Sequence, residues 1–68
     1  MRKGSKQTIN WIPFAEKEPA EGKRYLVTVK YKNKLFVDVD DYFSYGWDDW
    51  GNAVIAWAEM PEPYKEEN

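Results

Sequence analysis

Apolar and polar residues alternate with a period of two from Tyr25 onward. Tyr25, Val27, Val29 and Tyr31 take one phase, and Leu26, Thr28 and Lys30 take the other, the pattern of a half-buried strand. Leu35, Val37 and Val39 then alternate with Phe36, Asp38 and Asp40 and predict a second strand. A third, Ala53 to Ala58, is apolar in both phases and reads as covered on both sides. Pro61 and Pro63 end it, since neither can donate to a ladder. The expected fold is all-β, or a small α+β domain, built on an antiparallel three-stranded meander.

The turn between the first two strands sets their register. A three-residue turn at Lys32-Asn33-Lys34, with Asn33 or Lys34 near the left-handed region, places Tyr31 opposite Leu35, Val29 opposite Val37 and Val27 opposite Val39. A two-residue turn at Lys32-Asn33 places Val27 opposite Asp38, which a buried face should reject. The three-residue turn is therefore expected, with Thr28 and Lys30 near Asp38. Asp40-Asp41 interrupts the alternation and predicts a bulge or bend. Phe43 to Asn52 reads as an aromatic-acidic turn, with Gly46 and Gly51 free to adopt positive φ.

Upstream, Phe14 to Arg24 holds Pro19, Gly22 and six charges, which is loop chemistry. Residues 1–9 are polar and basic without periodicity and are expected to form a mobile arm. Residues 10–64 then make one small β-rich domain, and residues 65–68 a polar tail. Trp11-Ile12-Pro13 and Trp57 to Pro63 bracket the strand-like run and are expected to close it, with Trp11 and Trp57 in the core.

Size makes that closure demanding. A chain of 68 residues is marginally stable on burial alone. With no cysteine there is neither a disulfide nor a Cys/His zinc set to help. Four Trp, five Tyr and three Phe are the compensation, since each ring buries on the order of 150–250 Å². A homodimer is the other remedy, and the sequence leaves it open.

The order Trp-Ile-Pro, then a charged turn with Glu16 and Pro19, then a Val-rich strand, then Val54, Trp57, Pro61 and Pro63 resembles DUF551. This is a small domain family of unknown function common in phage and prophage genomes. The similarity covers Asn10 to Tyr64. Family members usually carry a His just before the second Trp, where this chain has Ala56, and Leu-Pro where it has Met60-Pro61. The resemblance implies a phage-type accessory protein with no activity attached, and any chemistry needing that His is lost here.

Net charge is −2, but it is partitioned. Residues 1–34 carry nine Lys/Arg against three Glu, and residues 35–68 carry nine Asp/Glu against Lys65 alone. Either basic and acidic strands lie side by side and neutralise each other, or an acidic surface attracts a basic partner. No stretch approaches the roughly 20 apolar residues of a membrane span, and no apolar segment follows the basic start. A soluble cytoplasmic protein without a membrane partner is expected, and the lack of cysteine fits a reducing compartment.

Without His or Cys there is no ordinary nucleophile–base pair, so neither an enzyme nor a cofactor site is expected. Asp38, Asp40 and Asp41 could meet Asp48 or Asp49 around a hard cation, but the EF-hand spacing is absent and solvated carboxylates are the expectation. Tyr42, Tyr45, Trp47 and Trp50 cluster with Asp41, Asp48 and Asp49 around Gly46. Exposed, such a cluster is hot-spot material for a protein partner; folded back, Trp47 and Trp50 would cap a small core. Both roles stay open.

The candidate partner site is thus Asp38, Asp40, Asp41, Tyr42, Tyr45, Trp47, Asp48, Asp49 and Trp50. The expected function is a non-enzymatic phage or prophage module that binds a host or phage protein, one version being acidic mimicry that inhibits a host defence nuclease. Nucleic-acid binding, with Arg2, Lys3, Lys6, Lys23, Arg24, Lys30, Lys32 and Lys34 tracking phosphates, is the alternative. It is disfavoured because the aromatic cluster is interleaved with Asp, which repels phosphate. A small-ligand binder is the third class.

Overall fold

The computed structural model describes residues 9–66. The expected arm lies outside the described residues except for Ile9, and so do the last two residues of the tail. The described residues form a five-stranded antiparallel sheet and no α-helix, so the domain is all-β. Its strands are β1 (Ile12–Pro13), β2 (Lys23–Tyr31), β3 (Lys34–Phe43), β4 (Gly46–Trp47) and β5 (Val54–Glu59), and a 3₁₀ turn at Gly51–Ala53 precedes the last.

Their order in the sheet is β1-β5-β2-β3-β4. The three long strands therefore do not follow one another as a meander. β2 is central, and β3 and β5 flank it, each antiparallel to it. Between β3 and β5 the chain crosses one face of the sheet, and that crossover is the aromatic-acidic segment. Trp11-Ile12-Pro13 closes the opposite edge, with Ile12 paired to Trp57 and Pro13 to Ala56.

The turn at Lys32-Asn33 has two residues, not three. Lys32 and Asn33 both take left-handed dihedrals, φ 52° and 65°, as a type I′ hairpin requires. Tyr31 consequently pairs with Lys34, Val29 with Phe36, Val27 with Asp38 and Tyr25 with Asp40. This overturns the expected register by one residue and exchanges the faces of β3. Phe36, Asp38, Asp40 and Tyr42 lie on the side of Tyr25, Val27 and Val29, while Leu35, Val37 and Val39 lie on the other. The register runs unbroken past Asp40 and Asp41 to Tyr42, so no bulge forms there. The irregularity sits instead between β2 and β5, at Thr28/Val29.

The core cluster occupies one face. Ala58 is buried on the other, but Ile55 is 42% exposed, so β5 is not covered on both sides as its apolar sequence suggested. Tyr25, Val27, Val29, Tyr42, Trp47, Val54 and Trp57 are buried together, with Ile12, Phe14, Phe36, Trp50 and Ala53 packed around them. Two irregular segments roof this face in place of a second sheet or a helix. Phe14 meets the edges of Tyr42 and Trp47 at 5.7 and 5.8 Å. Tyr25 stacks edge-on to Trp57 at 5.1 Å. The polar ends of the core rings tie the roof down: Tyr25 Oη donates to the Ala20 carbonyl at 2.7 Å, and Trp57 Nε1 to the Lys17 carbonyl at 2.8 Å. Large rings with one hydrogen-bonding end can thus fill and fasten a core too small for aliphatics alone. Trp11 is half-buried and stands outside the packed cluster, contrary to its expected place.

Candidate functional site

Two carboxylates on the covered face organise the crossover. Asp40 is 2% exposed and accepts three backbone N–H groups, from Asp41 at 2.8 Å, Asp49 at 2.9 Å and Trp50 at 2.9 Å. Asp38 accepts the Trp50 indole N–H at 2.8 Å and the Val39 N–H at 2.8 Å. Its carboxyl is held below the usual carboxylate range by the Trp50 bond first and the Val39 bond second. A carboxylate is tolerated on a buried face when donors surround it, and here the crossover supplies them.

The nine predicted site residues consequently separate. Asp40, Tyr42 and Trp47 are buried and offer a partner no surface, so their part is structural. Burial pushes the Tyr42 phenol up, helped by the nearby Glu18 carboxylate. Trp47 packs between Phe14, Tyr25 and Tyr42, and its Nε1 finds no acceptor among the described residues. Trp50 is half-buried, with Phe36 at 5.2 Å and Tyr31 at 5.7 Å from its ring. Of the two roles left open for Trp47 and Trp50, the cap over the core is the one their packing fits.

Tyr45, Asp48 and Asp49 remain at the surface. Tyr45 is 71% exposed and donates its hydroxyl to Asp48 Oδ1 at 2.8 Å, a bond that raises the Tyr45 phenol. The Asp49 carboxyl is raised above the usual range, chiefly by the charge of Asp40. Asp41 is engaged by Arg24 directly across the ladder, through bonds of 2.9 and 3.3 Å, which lower its carboxyl.

That pair and Lys23–Glu59 are the ion pairs among the described residues. The charge partition is thus cancelled at one end of the sheet and left open elsewhere. Asp48 and Asp49 project from the crossover without a cation among the described residues, and Lys30, Lys32 and Lys34 stand exposed around the β2–β3 turn. Among the described residues no three acidic side chains converge as metal ligands would, and no helix is long and apolar enough to cross a membrane. A shallow apolar groove of about 270 Å³ lies across the other face, lined by Ile9, Ile12, Leu26, Ala58 and Pro61 among others.

Sequence reasoning missed the anchoring role of Asp38 and Asp40. The available signal was the two-residue turn, because Asn is among the few side chains that accept left-handed dihedrals readily. No family model, curated protein or solved structure matches the chain.

Proposed function

We propose that this domain is a non-enzymatic binding module that engages a protein partner through Tyr45, Asp48 and Asp49 at the tip of the crossover. One observation carries the reading. The Asp49 and Trp50 backbone is clamped to the buried Asp40, while the side chains of Tyr45, Asp48 and Asp49 face solvent. An acidic, aromatic group on a fixed backbone loses little freedom on binding, and its field favours a basic partner. With the aromatic-proline resemblance, this suits a phage or prophage accessory protein acting in the host cytoplasm. Acidic mimicry against a phosphate-binding host defence nuclease is its specific form.

The test is capture from host lysate at two salt concentrations, with the Asp48→Ala/Asp49→Ala and Tyr45→Ala variants as controls. A stoichiometric partner lost in both variants supports the module. Retention of that partner by both variants rejects this surface.

A second reading has its own observation. Lys32 Nζ lies 5.3 Å from the centroid of the Tyr31 ring, and Lys30 and Lys34 are exposed beside it, so the hairpin tip carries basic and aromatic groups together. Recovery of oligonucleotides that weakens with salt and with Lys30→Ala or Lys32→Ala would favour it over the protein partner.

A further inference from the structure

The outer edge of β3 carries a pattern that complements itself. Tyr31 and Lys34 flank a two-residue turn, so they form a hydrogen-bonded pair, and bonded pairs with β2 recur at every second position. Leu35, Val37, Val39 and Asp41 therefore direct their N–H and C=O groups away from β2. Asp41 obeys this, since its carbonyl accepts the Asp48 N–H at 3.0 Å. β4 pairs with β3 at Tyr42 and Phe43, which leaves the edge from Leu35 to Val39 without a neighbouring strand among the described residues.

The chain guards part of this edge itself. The outward N–H of Val39 is taken by Asp38 Oδ1 and that of Asp41 by Asp40 Oδ1, each at 2.8 Å. Among the described residues the outward backbone N–H and C=O groups of Leu35 and Val37 have no such partner, and their side chains are 64% and 58% exposed. A free edge flanked by aliphatic side chains is a template for another strand.

The residue order along the edge selects the strand that fits. Laid antiparallel to itself about Phe36, the segment puts Leu35 of each copy opposite Val37 of the other. The free groups of both copies then make four main-chain hydrogen bonds. Phe36 meets Phe36 in the close, non-bonded position, and Lys34 faces Asp38. Lys34 has no acidic partner and Asp38 no cation within the described chain, so this register supplies both. Centring on Val37 instead would demand the Val39 N–H that Asp38 holds, and would set Lys34 against the buried Asp40. We propose that the chain forms a two-fold symmetric homodimer by antiparallel pairing of the β3 edges about Phe36, making one continuous ten-stranded sheet. The pairing uses none of Tyr45, Asp48 or Asp49 and stands apart from the partner surface proposed above.

Sedimentation velocity from about 10 µM to about 1 mM, the range expected of a small interface, tests it. Wild type should sediment as a concentration-dependent dimer. Val37→Pro removes an N–H that β2 does not use, and should weaken association by about tenfold or more. Lys34→Glu, at an exposed side chain, should do the same, whereas Lys34→Arg should not. Far-UV circular dichroism checks the fold, and if Val37→Pro misfolds, the Lys34 pair decides. Amide exchange gives a second readout: the Leu35 and Val37 amides should gain protection with concentration, and the Phe36 amide, already bonded to β2, should not. A monomer at every concentration overturns the proposal. So does a dimer indifferent to both Val37→Pro and Lys34→Glu, or one abolished instead by Leu26→Asp on the open face.

Discussion

Asp38 sits directly across the ladder from Val27 on the covered face, and the indole N–H of Trp50 closes on its carboxylate at 2.8 Å. That bond is the first cause of the depressed Asp38 carboxyl, which gives it a pH signature. A carboxyl lowered in the folded state contributes stability above its unfolded value, about 3.9. The contribution is lost as pH falls through the folded value. Trp50→Phe keeps most of the packing on Phe36 and Tyr31 but removes the donor. The variant should be less stable than wild type at pH 7, and the gap should narrow below about pH 3.9. Urea titrations at pH 7 and pH 3 check this; an equal gap at both would mean that the ring, not the bond, matters.

Asp40 is the stronger anchor, because three backbone N–H groups converge on one buried carboxylate. Removing it strands donors that water cannot easily reach. Asp40→Ala should cost about 3 kcal/mol or more, given roughly 1–3 kcal/mol for each buried donor left unsatisfied. Asp48→Ala, at an exposed position, should stay within about 0.5 kcal/mol of wild type. Chemical denaturation of the two variants distinguishes an anchor from a surface charge.

How much of this was legible depended on whether the determining contact was local. β5, apolar in both phases, showed no phase, and its expected cover on both sides fails because Ile55 is 42% exposed. The phase of β2 could be read because Tyr25, Val27 and Val29 repeat at the spacing of a ladder. The phase of β3 could not. Its aliphatic stripe, Leu35, Val37 and Val39, looks like the inward face, and its inward face carries Asp38 and Asp40. What reconciles those carboxylates with burial is a set of donors nine to twelve residues away, and no local pattern announces them. The same gap misplaced Asp40, Tyr42 and Trp47 on a binding surface. Tyr45, Asp48 and Asp49 are exposed while Trp47 among them is buried, so proximity to the Gly46 turn did not by itself separate surface from core. Strand order failed for a related reason: the crossover is fixed by Asp40, not by its own sequence.

Asp49 responds to pH in the opposite sense to Asp38. Its carboxyl is raised in the folded state, chiefly by the charge of Asp40, so its ionised form opposes folding. The penalty is present at neutral pH and is relieved as pH falls through the raised value. Asp49→Asn should therefore stabilise the domain at pH 7 and have no such effect at pH 3. Thermal unfolding of wild type and variant at both pH values is the measurement. Destabilisation at pH 7 would show that the side chain makes a favourable contact outweighing the repulsion.

The Lys32-Asn33 turn decides which face of β3 is buried, so its chemistry should be tunable. Both residues hold positive φ, which costs a non-glycine residue roughly 1–2 kcal/mol, least for Asn or Asp. Lys is poorly suited to the first position, and Gly would suit the second better than Asn. Lys32→Asn combined with Asn33→Gly should raise stability by about 1 kcal/mol, read as a higher urea midpoint with an unchanged slope. Inserting one Gly after Asn33 should act in the opposite direction. If the two-residue turn persists, the inserted Gly takes the place of Lys34 opposite Tyr31, which puts Leu35, Val37 and Val39 against the core and pulls Asp38 and Asp40 away from the crossover they hold. The insertion should then lower the midpoint sharply and expose Trp50, seen as a red-shifted fluorescence maximum. If the insertion were neutral, the turn would not be what sets the register, and the Asp40 clamp alone would have to carry it.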